Sequence, residues 1–179
     1  FIFTFAINAF QQFLNTHDFR VHLQEDANAA VKLAVDEANL WFQKNLTAAN
    51  LLSLETERRA QSPETLEADF KEITEKLNLP SAYLGMSSGA WVGKKDFRQK
   101  DWYQRAKESK RPFFIGPAED KKTGEYSLTF AAPLFDSSRT MVFGAAGFDC
   151  PLEELQKAIG RIFINEVEGI TVFPVHPGK

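Results

Sequence analysis

Cysteine and histidine are scarce in this sequence, and their scarcity excludes several kinds of site. The single cysteine, Cys150, cannot form an intrachain disulfide, although this does not decide between a reducing and an oxidising compartment. His17 and His22 are five residues apart, so they do not share one helix face as a zinc-binding pair would. No cysteine pair or HExxH motif accompanies them. The sequence therefore predicts no metal site and no cofactor.

The sequence also lacks an excess of charge of one sign. It has 21 Lys and Arg against 24 Asp and Glu, which gives a formal net charge of -3. No block of basic residues is long enough to follow a phosphate backbone. This charge pattern argues against nucleic acid as a partner and is typical of a soluble globular domain.

No apolar run is long enough to cross a bilayer, which requires ~20 such residues. The first 14 residues, FIFTFAINAFQQFL, come nearest, but Asn8, Gln11 and Gln12 interrupt them. They have neither the basic start nor the cleavage site of a signal peptide. The stretch fits the outer end of a transmembrane helix, and it equally fits a first helical segment packed in a core or a dimer seam.

The sequence also lacks a recognisable set of catalytic residues. No motif in it contains a nucleophile, a base and an oxyanion donor together. Cys150 precedes Pro151 and a predicted helix, and a helix N-terminus lowers the pKa of a thiol. No histidine neighbours it in sequence, however, so a small buried filler is the favoured interpretation and a cysteine nucleophile the alternative. The sequence predicts that this domain is not an enzyme.

Glycine and proline are absent from residues 16–59, where the spacing of apolar residues predicts one long helix of roughly 60 Å. A second helix is predicted to begin at Ser62 and Pro63 and to end at Asn78. The predicted apolar face of the long helix consists of Val31, Ala34, Val35, Ala38, Trp41, Phe42, Asn45, Ala49 and Leu52.

After Pro80 the pattern changes to β-structure. Residues 82–86 and 90–92 flank a turn and predict a hairpin, and strands are predicted at 113–115, 125–135, 140–148 and 169–175. Asp101 and Gln104 resemble a capping box, so a short helix is expected to start at Trp102. A final helix is expected from Pro151. This order predicts an α+β domain, an antiparallel sheet with helices mainly on one side.

An ordered set of short motifs between residues 80 and 155 resembles the membrane-distal module of double-Cache sensor domains, which have a PAS-like antiparallel sheet. These domains belong to bacterial transmembrane receptors. The resemblance implies a spine helix over 1–60, a Cache module over 61–165 and the start of a membrane-proximal module over 166–179. The motifs are Asp96 and Arg98, Trp102–Tyr103, Gly116–Pro117, Asp120 with Thr123 and Gly124, Ala131–Phe135, and Gly144–Asp149.

The family resemblance also implies a function. Such domains are periplasmic parts of inner-membrane receptors, bind a small polar ligand and signal to a chemoreceptor, histidine kinase or cyclase output. The ligand is expected to be an amino acid, an amine or a carboxylate, and the chain is expected to form a homodimer through its long helix. The alternative is a sensor that docks a partner protein and has no small-molecule ligand.

Family members that bind amino acids hold the carboxylate with an arginine two residues before the tryptophan, and Lys100 stands there. Lysine is a point charge without the bidentate fork of arginine. A family tyrosine is replaced by Ala118, which enlarges the site. Because consecutive helical residues diverge by about 100°, one of Trp102 and Tyr103 is expected to pack on the sheet and the other to line a cavity. The expected ligand-binding residues are Lys100, Trp102, Tyr103, Asp120, Tyr126, Thr129 and Asp149.

Overall fold

The computed structural model describes residues 2–59, 64–79, 81–93, 97–120 and 123–166, with side chains from residue 24 to residue 160. The strand expected at 169–175 lies outside these residues. The helices are α1 Ile2–Arg59, α2 Leu66–Lys76, α3 Asp101–Glu108 and α4 Leu152–Glu166, with a short 3-10 turn at Phe97–Gln99. The strands are β1 Ala82–Met86, β2 Trp91–Val92, β3 Phe113–Glu119, β4 Tyr126–Phe135 and β5 Val142–Pro151.

The five strands form one antiparallel sheet in the order β2-β1-β5-β4-β3. The central pair β4 and β5 is long and places Phe130 opposite Phe148 and Ala131 opposite Gly147. β1 pairs with β5, and the hairpin predicted between β1 and β2 is present. The predicted α+β, PAS-like architecture with a long N-terminal helix is confirmed.

Both faces of the sheet carry helices, so the expectation of helices mainly on one side is wrong. Phe130 of β4 contacts Trp41 of α1, with ring centroids 5.5 Å apart. The next residue, Ala131, packs on the other face with Trp102 and Tyr103 of α3. Side chains alternate along a strand, and from Phe130 to Phe135 both sets in β4 are apolar and buried. β4 is therefore buried on two sides.

The buried stripe of α1 differs from the predicted one. Ala34, Trp41 and Leu52 are buried, whereas Val31 and Val35 are 55% and 53% exposed. At about 100° per residue, a stripe through Trp41 and Leu52 continues to Ala34 and leaves both valines beside it. The predicted face is too broad because alanine, not valine, occupies the buried positions in this part of the helix.

Two polar contacts fasten α1 to the end of β4. The Ser53 hydroxyl donates to the carbonyl of Pro133 at 2.6 Å. The Glu57 carboxylate accepts the backbone N–H of Phe135 at 2.7 Å, and its other oxygen lies 3.5 Å from the Arg139 guanidinium. These contacts satisfy backbone groups where the register of β4 and β5 shifts.

The ends of α2 are partly as predicted. The helix begins at Leu66, after Thr65, and the predicted cap Ser62 lies outside the described residues. Asn78 follows the last turn in the left-handed conformation with φ 55°, as its sequence position predicts.

The start of α3 differs from the prediction by one residue. Lys100 precedes the helix and its carbonyl accepts the N–H groups of Tyr103 and Gln104, while Asp101 is already helical. The Gln104 amide reaches back past Asp101 and donates to the carbonyl of Arg98. The capping-box pattern therefore predicts a helix start that is one residue later than the observed start at Asp101.

The chain divides into two compact units, one of residues 40–156 and the other containing the first part of α1 and the end of α4. The sheet, α2 and α3 all belong to the unit of residues 40–156. Within the described residues, none of the helices combines the length and apolar character required to span a bilayer.

Candidate functional site

Trp102 and Tyr103 both pack into the core beneath α3. Trp102 contacts Tyr83 of β1, with ring centroids 4.8 Å apart, and Tyr103 contacts Phe97 at 4.7 Å. Their exposed fractions are 5% and 3%. The expectation that only one packs on the sheet is wrong, because the small residues of the sheet beneath α3 leave room for both rings.

The Trp102 indole has an unusual feature for a core residue. Its Nε1–H is buried and has no hydrogen-bond acceptor within the part of the chain that the structure describes. A buried donor without an acceptor costs about 1–3 kcal/mol, and native proteins contain few of them.

Asp149 forms a polar cluster with two hydroxyl groups of neighbouring strands. Its Oδ1 accepts the Tyr83 hydroxyl at 2.8 Å and the Thr129 hydroxyl at 2.8 Å. Burial, followed by the negative charge of Asp149, raises the pKa of Tyr83, so this phenol remains protonated and donating. Three adjacent strands thus fix one carboxylate from two sides.

A cavity of about 580 Å³ lies between α3 and the irregular part of β3, and Thr129 of the polar cluster lines it. Ala118 also lines it. The charged residues around it are Asp101, Glu108 and Arg105, all from α3. We call this space the α3 cavity.

Asp120 and Tyr126 lie around a different cavity, of about 670 Å³, which Asp149 lines as well. The Asp120 carboxylate is 3.4 Å from the backbone N–H of Thr123, so it also shapes the turn between β3 and β4. Tyr126 is half exposed. Lys100 is exposed at the start of α3 and lines neither cavity. The seven expected residues are therefore not gathered into one site.

The surroundings of Cys150 oppose the reactive alternative. Cys150 lies in β5, not at the helix start, and its thiol is 3.3 Å from the Glu154 carboxylate. Burial, together with Glu154, raises the pKa of this thiol to about 12. The carboxylate and the burial outweigh the effect of the helix N-terminus, in agreement with the favoured interpretation of Cys150 as a small buried filler. Within the described residues, no three His, Cys, Asp or Glu side chains are grouped as metal ligands.

Two residues of the polar cluster and the α3 cavity, Tyr83 and Arg105, are not among those predicted from the sequence. The sequence marks Tyr83 only as a strand residue, although its ring lies close to Gly147, whose missing side chain leaves the space. A large aromatic paired across strands with a glycine is the signal that identifies it. Arg105 comes one turn after Trp102, and its charged surroundings in the sequence indicate only a solvated helix face.

Solved structures of chemoreceptor ligand-binding domains share this fold. That of Campylobacter jejuni Tlp3 in complex with L-norvaline is 18% identical, with a TM-score of 0.62 over 74% of this chain and 60% of that one. That of Pseudomonas aeruginosa PctC with GABA is 20% identical, with a TM-score of 0.61 over 73% and 65%. That of P. aeruginosa PctB with L-Arg is 22% identical, with a TM-score of 0.59 over 72% and 57%.

The chain thus spans about 60% of the length of the first of these structures. No curated protein matched the sequence. A family model for the methyl-accepting chemotaxis protein-like, first PDC sensor domain matches residues 67–157, slightly more than half of the 179 residues. The matched region runs from α2 to α4 and contains the whole sheet and α3. The chain therefore belongs to the family of methyl-accepting chemotaxis protein-like first PDC sensor domains.

Proposed function

We propose that this chain is the periplasmic sensing part of an inner-membrane receptor and that it binds a small molecule carrying an amine in the α3 cavity. Residues 1–60 are the spine helix, 61–165 the sensing module and 166–179 the start of a membrane-proximal module. The domain performs no catalysis itself. The observation that supports the proposal best is the Asp149 carboxylate, which accepts the Thr129 hydroxyl at the wall of the α3 cavity, together with Asp101 and Glu108 on its α3 side.

The negative charges around Thr129 favour an amine at that end of the α3 cavity. Asp149 supplies a carboxylate behind Thr129, and Asp101 and Glu108 lie at the α3 side. A protonated amine gains charge-assisted hydrogen bonds there. The similar domains were solved with L-norvaline, GABA and L-Arg, all of which combine an amine with a carboxylate. In this chain Arg105, not Lys100, is the cation that lines the cavity and can donate to a ligand carboxylate.

The test is a thermal-shift screen with amino acids, alkylamines and carboxylates, followed by calorimetry of the hits. A ligand at a hundredfold excess over its dissociation constant stabilises the native state by ~2.7 kcal/mol. We expect hits among compounds with an amine and loss of these hits in Asp149→Asn. Glu119→Gln changes an exposed carboxylate of β3 outside the cavity lining and should retain them. Hits restricted to carboxylates, or retained in Asp149→Asn, would contradict the proposal.

One observation favours the second candidate, a sensor that docks a partner protein, and it also favours the homodimer expected through the long helix. Val31, Leu33, Val35 and Leu40 of α1 are 43% to 64% exposed. In this case Leu40→Glu should abolish self-association measured by sedimentation. Met141→Glu, at a residue that is 68% exposed on the β4–β5 turn, is the control and should leave it unchanged. A monomer at every concentration would exclude the homodimer.

A further inference from the structure

A groove of about 610 Å³ runs along edge strand β3 and borders the α3 cavity. Its walls come from four parts of the compact unit of residues 40–156, namely α1, α3, the segment after α3, and β3. The residues that matter for its chemistry are Leu46, Arg105, Arg111, Phe113, Phe114 and Ile115. Only Arg105, Ile115 and Gly116 are shared with the α3 cavity.

The charged residues that line this groove are all positive. Arg105 and Arg111 line it, and no carboxylate of the described residues does. Among the residues that the structure describes, neither arginine forms an ion pair. Asp101 and Glu108 line the neighbouring α3 cavity instead. Two guanidinium groups at one groove are an arrangement that binds a carboxylate with several charge-assisted hydrogen bonds.

The remainder of the groove is apolar. Phe114 is 41% exposed although its ring packs 4.8 Å from that of Phe42. The Arg105 guanidinium lies 5.5 Å from the ring centroid of Phe113. Stacking on a ring occupies a face of the guanidinium and leaves its N–H groups able to donate to an anion. The groove therefore offers an anion-binding end and an aromatic and aliphatic wall.

We propose that this groove is a second ligand site, specific for a small organic carboxylate with an apolar body. The carboxylate binds between Arg105 and Arg111, and the apolar body lies against Phe114, Ile115 and Leu46. An occupant contacts α1 through Leu46 and β3 at once. Arg105 and Ile115 also line the α3 cavity, but Arg111, Phe113 and Phe114 belong to the groove alone, so changes at Arg111 test the groove separately from the amine site.

The test measures calorimetric binding of phenylacetate and 4-methylpentanoate, with phenethylamine and benzyl alcohol as aromatic probes without a carboxylate. We expect the two carboxylates to bind in the groove and the other two compounds not to. Arg111→Ala should weaken carboxylate binding roughly tenfold or more, the effect of losing a hydrogen bond to a charged group. Arg111→Lys should recover part of the affinity, because it restores the charge without the fork.

Lys110→Ala is the matched control, since it removes the adjacent cation, which does not line the groove. It should leave carboxylate binding unchanged, as should Asp149→Asn. Equal losses in Lys110→Ala and Arg111→Ala would overturn the proposal by showing nonspecific attraction. Absence of carboxylate binding by the wild-type chain would overturn it directly. Loss of amine binding in Asp149→Asn with carboxylate binding retained separates this site from the α3 cavity.

Discussion

Asp149, Tyr83 and Thr129 explain why a carboxylate can remain in a largely apolar part of the sheet. Each hydroxyl donates to the same Oδ1, and charge-assisted bonds of this kind are stronger than neutral ones. The arrangement also keeps the Tyr83 phenol neutral. These two hydrogen bonds therefore fix the orientation of the Asp149 side chain before any ligand binds. This reduces the free-energy cost of ordering that side chain when a ligand binds.

The pH dependence of stability tests this cluster. Burial and Asp149 raise the pKa of Tyr83 above its usual value near 10. A raised folded-state pKa gives stability that is fully present below pH ~10 and is lost as the pH rises further. We expect the free energy of unfolding, from urea titrations, to fall above pH ~10, and to fall less steeply in Tyr83→Phe. Tyr126→Phe, at a half-exposed tyrosine, should keep the wild-type slope.

Cys150 gives a second prediction at this scale. Its thiol is buried, and its pKa is raised to about 12, so almost no thiolate exists at neutral pH. We expect the native chain to resist a thiol-specific reagent at pH 7 and to react fully once unfolded in urea. Glu154→Gln removes the negative charge beside the sulfur and should accelerate labelling at pH 9. Rapid stoichiometric labelling of the native chain would show that the thiol is accessible and reactive.

At the scale of elements, the strands follow from the sequence better than the helix faces do. Tyr126 to Phe135 alternates between two sheet faces, and Ser87 to Gly89 marks a turn, so local pattern predicts both features. The periodicity places Val31 and Val35 on the buried face of α1 because several stripes of that helix are apolar. Tertiary packing determines which stripe is covered, and such long-range information is not present in a periodicity.

The same limit applies to the site. Trp102 and Asp149 belong to recognisable motifs, but the partner of Asp149 on β1, Tyr83, lies 66 residues away in sequence. Asp120 and Asp149 both precede a turn or a helix, and no local pattern shows that they line the same cavity while Thr129, which bonds to Asp149, lines the other. Sheet order decides this, because β5 lies between β1 and β4 and β3 is at the edge.

The hydrogen bonds that attach α1 to β4 should contribute measurably to the stability of the fold. Ser53 is buried, and its hydroxyl donates to the Pro133 carbonyl, so Ser53→Ala removes a buried hydrogen bond between the two elements. We expect this change to reduce the free energy of unfolding by about 1–3 kcal/mol. Thr47→Ala, at an exposed position of the same helix, is the control and should cost much less. Chemical denaturation of both variants measures the difference, and equal effects would mean that the contact contributes little.

At the scale of the whole sensing unit, β4 connects the two faces of the sheet. Thr129 lines the α3 cavity, and further along the same strand Pro133 and Phe135 hold Ser53 and Glu57 of α1. A ligand can shift a conformational equilibrium only by binding one state more tightly than the other. A ligand that tightens β4 around Thr129 would therefore act on α1 through these two contacts.

Hydrogen exchange can test this connection within residues 40–156. With the best amine ligand from the screen at saturation, we expect amides of α1 around Ser53 and Glu57 to exchange roughly fivefold more slowly, which corresponds to about 1 kcal/mol of added local stability. Glu57→Gln weakens the contact with Phe135 without touching the α3 cavity, so it should retain ligand affinity while reducing the protection of α1. Protection confined to α3 and β3 in the wild-type chain would mean that occupancy of the cavity is not transmitted along β4.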